Sequence, residues 1–112
     1  KFVPEITGPI ASGETIAAAT ASMAAVPEAT YRDIIRCLVT FNRRADIADF
    51  TVPVCLIAGE HDQNAPAKTM ARMAEKIPHA EYHEISGAGH LINLEASQES
   101  NQILHAFYEK QP

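Results

Sequence analysis

Two loops of this 112-residue chain carry side chains whose types and spacing could do chemistry together. One is Gly59-Glu60-His61-Asp62-Gln63-Asn64-Ala65-Pro66, the other Ser86-Gly87-Ala88-Gly89-His90. Asp62 and His90 are the candidate catalytic pair. A carboxylate that accepts the Nδ1–H of an imidazole fixes its tautomer and stabilises the imidazolium, leaving Nε2 to take a proton from a nucleophile. That makes two of the three members of a catalytic triad. Each residue also has a plainer reading: Asp62 as a negative charge near the start of a following helix, and His90 as a turn histidine after Gly-x-Gly. His61 reads as a solvated loop residue. No metal site is expected from His61, Asp62 and His90, because side chains at 61 and 62 do not easily face one ion and no third spaced ligand is evident. Glu60 reads as a surface residue beside the acid, with a minor route to tuning the His. His79, His83 and His105 have no chemical company and are assigned no role.

The elements around these loops explain why the two side chains should meet. Val54 to Ala58 is an unbroken apolar run between Pro53 and Gly59, the pattern of a strand buried on both faces of a parallel sheet. A helix follows from Pro66, with Met70, Met73, Ala74 and Ile77 inward, until Pro78 stops it. Glu81 to Ile85 is a second, shorter strand, and a last helix runs from about Ser97 with Ile103, Leu104, Phe107 and Tyr108 inward. Two strands joined by a helical crossover are expected to be parallel, and ligands of such sheets bind beyond the carboxyl ends of the strands. At a spacing of ~4.8 Å between neighbouring strands, Asp62 and His90 would emerge at one rim. Gly87 and Gly89 would let the backbone bring His90 over it.

Upstream the sequence is helical. Pro4, Gly8 and Pro9 make residues 1–12 a connecting segment ending at Ser12, a helix N-cap candidate. An alanine-rich helix runs from Gly13 to Val26. Tyr31, Ile34, Ile35, Leu38 and Phe41 then follow a helical period with Arg32, Asp33 and Arg36 on the other face. Residues 42–53 are irregular, with Ile47, Phe50 and Val52 as inward anchors. Cys37 and Cys55 sit in apolar segments and read as buried free thiols.

The segment from about Val52 to Phe107 resembles the C-terminal part of an α/β-hydrolase. In that family a strand ending in a G-x-x-D-x-x-x-P loop supplies the triad acid, and a later G-x-G-H turn supplies the base. Gly59, Asp62, Pro66, Gly87, Gly89 and His90 match position by position, and Leu91-Ile92-Asn93-Leu94-Glu95 suits the stretch behind the His. Residues 13–41 are similar to helices of the cap that many members insert. The wording of Ile57 to Asp62 is most like the branch of 3-oxoadipate enol-lactonases and related carboxylic-ester hydrolases. The resemblance implies an α/β fold with residues 1–50 as cap helices and connector and 51–112 as a strand-helix-strand-helix part of the core. It also implies hydrolysis of an ester or lactone by a Ser-His-Asp mechanism that uses no cofactor.

One departure stands out: no G-x-S-x-G elbow occurs anywhere in the chain. The nucleophile is therefore expected upstream of Lys1, which leaves the chain by itself inactive. An upstream Asp in place of Ser would turn the chemistry to dehalogenation or epoxide opening, and carbon–carbon bond hydrolysis is a further variant. The rival from another class is a non-catalytic α/β binding module.

Composition narrows the partners. Nine Lys and Arg against 14 Asp and Glu give a net charge of −5, which would repel a phosphate backbone, so no nucleic acid is expected. No apolar run approaches the ~20 residues of a membrane-spanning helix, and no membrane partner is expected. A small-molecule ester or lactone is the expected partner, and the cytoplasm the expected compartment. Two parallel strands are fewer than an independent sheet needs, and an open edge invites pairing, so self-association as a homo-oligomer through that edge is expected.

Overall fold

The structure, a computed structural model, describes residues 2–111. Among them the chain runs α1 (Phe2–Ile6), α2 (Gly13–Ala24), α3 (Glu28–Thr40), a 3₁₀ turn (Ile47–Asp49), β1 (Cys55–Gly59), α4 (Ala67–Ala74), β2 (Glu81–Ile85), α5 (Ile92–Glu95) and α6 (Ser97–Glu109). β1 and β2 pair in parallel, with Cys55 opposite Glu81 and Gly59 opposite Ile85. Both strands therefore end at the same level. α4 and α6 pack on both strands. The core they enclose includes Leu56, Ala58, Ile77, Ile85, Ala88 and Phe107. Leu56 and Ala58 are buried while Cys55 and Ile57, which alternate with them, are half-buried, so β1 is fully covered on one face and only partly on the other.

α2 starts where its cap residue stands: the Ser12 hydroxyl accepts the Thr15 N–H at 3.0 Å. The segment before it departs from the expected connector. Residues 2–6 are helical, which Pro4 permits because it lies in the first turn, where its missing N–H has no partner to lose. Val3 and Ile6 are buried there.

The apolar face of α3 does not turn inward. α3 has no buried residue, and Tyr31, Ile34 and Leu38 are exposed at 48%, 53% and 66%. An amphipathic period shows which face would be buried, but not what buries it. Phe50 and Val52 are likewise exposed, leaving Ile47 as the half-buried anchor of that stretch. Tyr108 is exposed while Phe107 beside it is buried, the two rings meeting edge to face at 5.8 Å. Both thiols are free, but Cys37 lies exposed on α3 and Cys55 is half-buried, so neither is fully enclosed. Burial, with the Glu81 charge behind it, pushes the Cys55 thiol up from its ordinary value.

Candidate active site

The carboxyl ends of the two strands are tied to each other before any side chain is considered. Glu60 N–H donates to Ile85 O at 3.0 Å and His61 N–H to Ala88 O at 2.8 Å. Asp62 N–H turns back on Gly59 O at 3.1 Å. The loop after β1 is thus a tight turn fastened to the loop after β2. Gly87 adopts φ 73°, the left-handed region where a side chain is strained, and this bend turns the chain from β2 toward His90. Gly59 meets the carbonyls of Gly89 and Ala88 so closely that a Cβ there would overlap them.

The result is a contact between the two sequence-selected residues. His90 Nδ1 lies 2.9 Å from Asp62 Oδ2. An ionised carboxylate only accepts, so Nδ1 carries a proton, and in the neutral ring it is Nε2 that keeps the lone pair. The other carboxylate oxygen, Oδ1, accepts the N–H groups of Asn64 at 2.8 Å and Ala65 at 2.9 Å. Asp62 is 7% exposed, whereas the His90 side chain is 41% exposed. The acid is enclosed and the imidazole edge is open. Burial, the largest influence, raises the Asp62 pKa, but the Ala65 N–H, the His90 imidazole and the Asn64 N–H together outweigh it and hold the carboxyl below its ordinary 3.8. The plainer reading of Asp62 as a helix-start charge does not fit this geometry. α4 begins at Ala67 behind Pro66 and has no side-chain cap, and the Asp62 bonds go to its own loop.

Other candidates fall apart from the pair. His61 projects to solvent, 3.9 Å from Glu60. His105 and His79 lie elsewhere, on α6 and in the turn before β2. His83 Nε2 is buried without a hydrogen-bond partner, 3.5 Å from the Glu81 carboxylate and on the strand rather than at its tip. Among the described residues no group of three or more His, Cys, Asp or Glu could hold a metal ion.

Two acidic residues have more to do than their sequence positions suggested. Glu60 Oε2 accepts the Ser86 hydroxyl at 2.7 Å and the Gly87 N–H at 2.8 Å, which crosslinks the two loops and lowers its own pKa. Glu95 accepts backbone N–H groups from Gly8, Gly89 and Leu91. The signal for Glu60 was its place directly after a strand, opposite a glycine turn. Glu95 belongs to the stretch behind His90 and lies close in sequence to Gly89 and Leu91, but nothing local signalled its bond to Gly8 at the other end of the chain.

A cavity of about 610 Å³ lined by Phe50, Pro53, Pro78, Glu81 and Phe107 opens at the amino ends of the strands, away from Asp62 and His90. Another of about 650 Å³ lies between the end of α3 and Met73. Neither reaches the pair, which stands on an open rim.

Residues 11–97, a span that includes both Asp62 and His90, match the alpha/beta hydrolase fold family. The chain belongs to that family. Protein ABHD8 of Homo sapiens is 37% identical over 65 residues, covering 58% of this chain and 15% of that protein. A bromoperoxidase from Bacillus anthracis superposes with a TM-score of 0.85 over 97% of this chain and 42% of its own, at 21% identity, a likeness of fold. The enol-lactonase from Burkholderia xenovorans LB400 superposes with a TM-score of 0.57 at 27% identity, over 60% of this chain and 25% of its own. The chain therefore spans less than half the length of each of these proteins. Its two parallel strands and flanking helices form part of that fold. No helix among the described residues is long and apolar enough to cross a membrane.

Proposed function

We propose that this chain supplies the acid and the base of a hydrolase acting on a carboxylic ester or lactone, with Asp62 orienting His90. The observation that carries the reading is the 2.9 Å contact between His90 Nδ1 and an enclosed Asp62 whose other oxygen is already held by two peptide N–H groups. Such an acid cannot easily swing away, so the imidazole it grips is presented with Nε2 outward. The similarity to an enol-lactonase, and to a thermophilic esterase from Thermogutta terrifontis, supports a carbonyl substrate of this class.

In this mechanism a serine hydroxyl outside the 112 residues attacks the substrate carbonyl while His90 Nε2 takes its proton. The imidazolium, stabilised by Asp62, then gives that proton to the departing alkoxide. A water then attacks the acyl carbonyl as Nε2 takes its proton, and the imidazolium passes that proton to the departing serine oxygen, which releases the acid and restores the serine hydroxyl and the neutral imidazole. No step needs a cofactor. The chain alone, lacking the nucleophile, does not turn over.

The test is an assay of the chain joined to a nucleophile-bearing upstream stretch, against a panel of lactones and aryl esters. His90→Ala should lower kcat by about 10²–10⁴-fold, the share typical of general acid–base catalysis. Turnover close to that of the unaltered enzyme would overturn the assignment.

A further inference from the structure

Asp62 holds the ring of His90 at one nitrogen, which leaves open what holds the backbone beneath the ring. Three consecutive peptide N–H groups answer this. Gly89 donates to Glu95 Oε2 at 2.9 Å, His90 to the Ile6 carbonyl at 2.7 Å, and Leu91 to Glu95 Oε1 at 3.0 Å. Glu95 Oε2 also accepts the Gly8 N–H at 2.6 Å. One carboxylate at the end of α5 therefore grips the residue before His90, the residue after it, and the segment that leaves α1.

The grip is close. A Cβ on Gly8 would run into the carbonyl of Gly87 and stand 2.7 Å from Gly89 N, so the first segment lies directly against the His loop. Glu95 is partly buried and, among the described residues, makes no ion pair with a Lys or Arg. Its acceptor capacity goes to the backbone. Charge-assisted bonds of this kind are short and directional. The oxygen that holds Gly89 also holds Gly8, so displacement of the first segment would pull on the His loop.

We propose that Glu95 is a positioning residue for His90: its carboxylate locks the backbone on both sides of the imidazole, and through α1 ties that backbone to the start of the chain. This inference rests on the reading of His90 as general base, where a misplacement of about 1 Å can cost about 10²-fold in rate.

Isotope-labelled chain carrying Glu95→Gln or Glu95→Ala tests it by NMR. The glutamine keeps the size but converts one acceptor oxygen into a donor, so either Leu91 or the Gly8–Gly89 pair loses its partner. Amide exchange at the orphaned positions should rise about tenfold for the loss of one such bond. The imidazole nitrogen signals of His90 should move from a single Nδ1–H form toward a mixture of tautomers. In the longer active polypeptide kcat should fall while KM holds. Ring signals that respond to Glu95, alongside an absence of ester or lactone hydrolysis in the longer polypeptide, would sink the functional reading and leave the positioning of the imidazole standing. Hydrolysis confirmed, with ring signals, amide exchange and kcat unchanged in both variants, would overturn the positioning role. Loss of the fold in both, seen by circular dichroism, would overturn it too, by making Glu95 a structural support only.

Discussion

α1 and α3 lie in the same half of the sequence, and the structure treats them in opposite ways. α1 is short, carries Pro4 and has no evident apolar period, yet Val3 and Ile6 are buried and the Ile6 carbonyl accepts the N–H of His90. α3 is longer and strongly amphipathic, yet every one of its residues retains substantial exposure. Amphipathic pattern records a demand for cover, whereas burial records that a partner is present. Helical period and integration into the fold are therefore separate properties, and the weaker helix is the one wired to the candidate site.

Ile85 is fully buried at the end of β2, just before the turn that leads to His90. Ile85→Ala should cost about 2–5 kcal/mol of stability, measured by urea unfolding, because the cavity left between two strands and their helices cannot collapse. A loss well below that range would mean that the core closes around the gap.

A second test uses pH. Asp62 is held below its ordinary value of 3.8 in the folded chain. Its contribution to stability is complete above that ordinary value and is lost as pH falls through the lower, folded one, since in that window the unfolded chain binds more protons than the native one. Unfolding free energy should therefore drop on acidification below 3.8, and drop less steeply in Asp62→Asn. Glu60 and Glu81 are also lowered, by the Ser86 hydroxyl and the Lys110 ammonium first, so the slope should diminish in that variant rather than vanish.

The smallest effect should come from α3. Leu38 is 66% exposed, so Leu38→Ser should change the stability of the chain by no more than about 0.5 kcal/mol. Light scattering at micromolar concentration on the same pair of proteins completes the comparison. Self-association through the open sheet edge would persist in the variant, whereas self-association through α3 would weaken, and a monomer in both would remove both interfaces.

Much of the site half was legible in the residues. The apolar run after Pro53 and the shorter alternating segment before Gly87 mark β1 and β2 to within a residue, because proline and glycine punctuate strands through backbone constraints that act locally. Asp62 and His90 were legible for the same reason: each stands a few residues past a strand end, and parallel pairing sets those ends side by side. Glu95 was legible as part of the stretch behind His90, but not as a clamp onto the first segment. Its Gly8 partner is 87 residues away, and no local pattern records a contact of that range. The inward direction assigned to Phe50, Val52, Leu104 and Tyr108 failed for a related reason, since an apolar side chain states a preference for burial but cannot supply the surface that buries it.

By itself the sequence determined the two strands and the longer helices but not α1, and it determined which acid and which imidazole could meet, since these follow from local backbone preferences and a two-residue or 3.6-residue period. The tertiary structure decided that they do meet, at 2.9 Å, that the acid is enclosed while the imidazole edge is open, and that the first helix rather than the third is built into the His loop. These depend on distances between residues far apart in the chain, and such distances are fixed only when packing and hydrogen bonding are satisfied all at once.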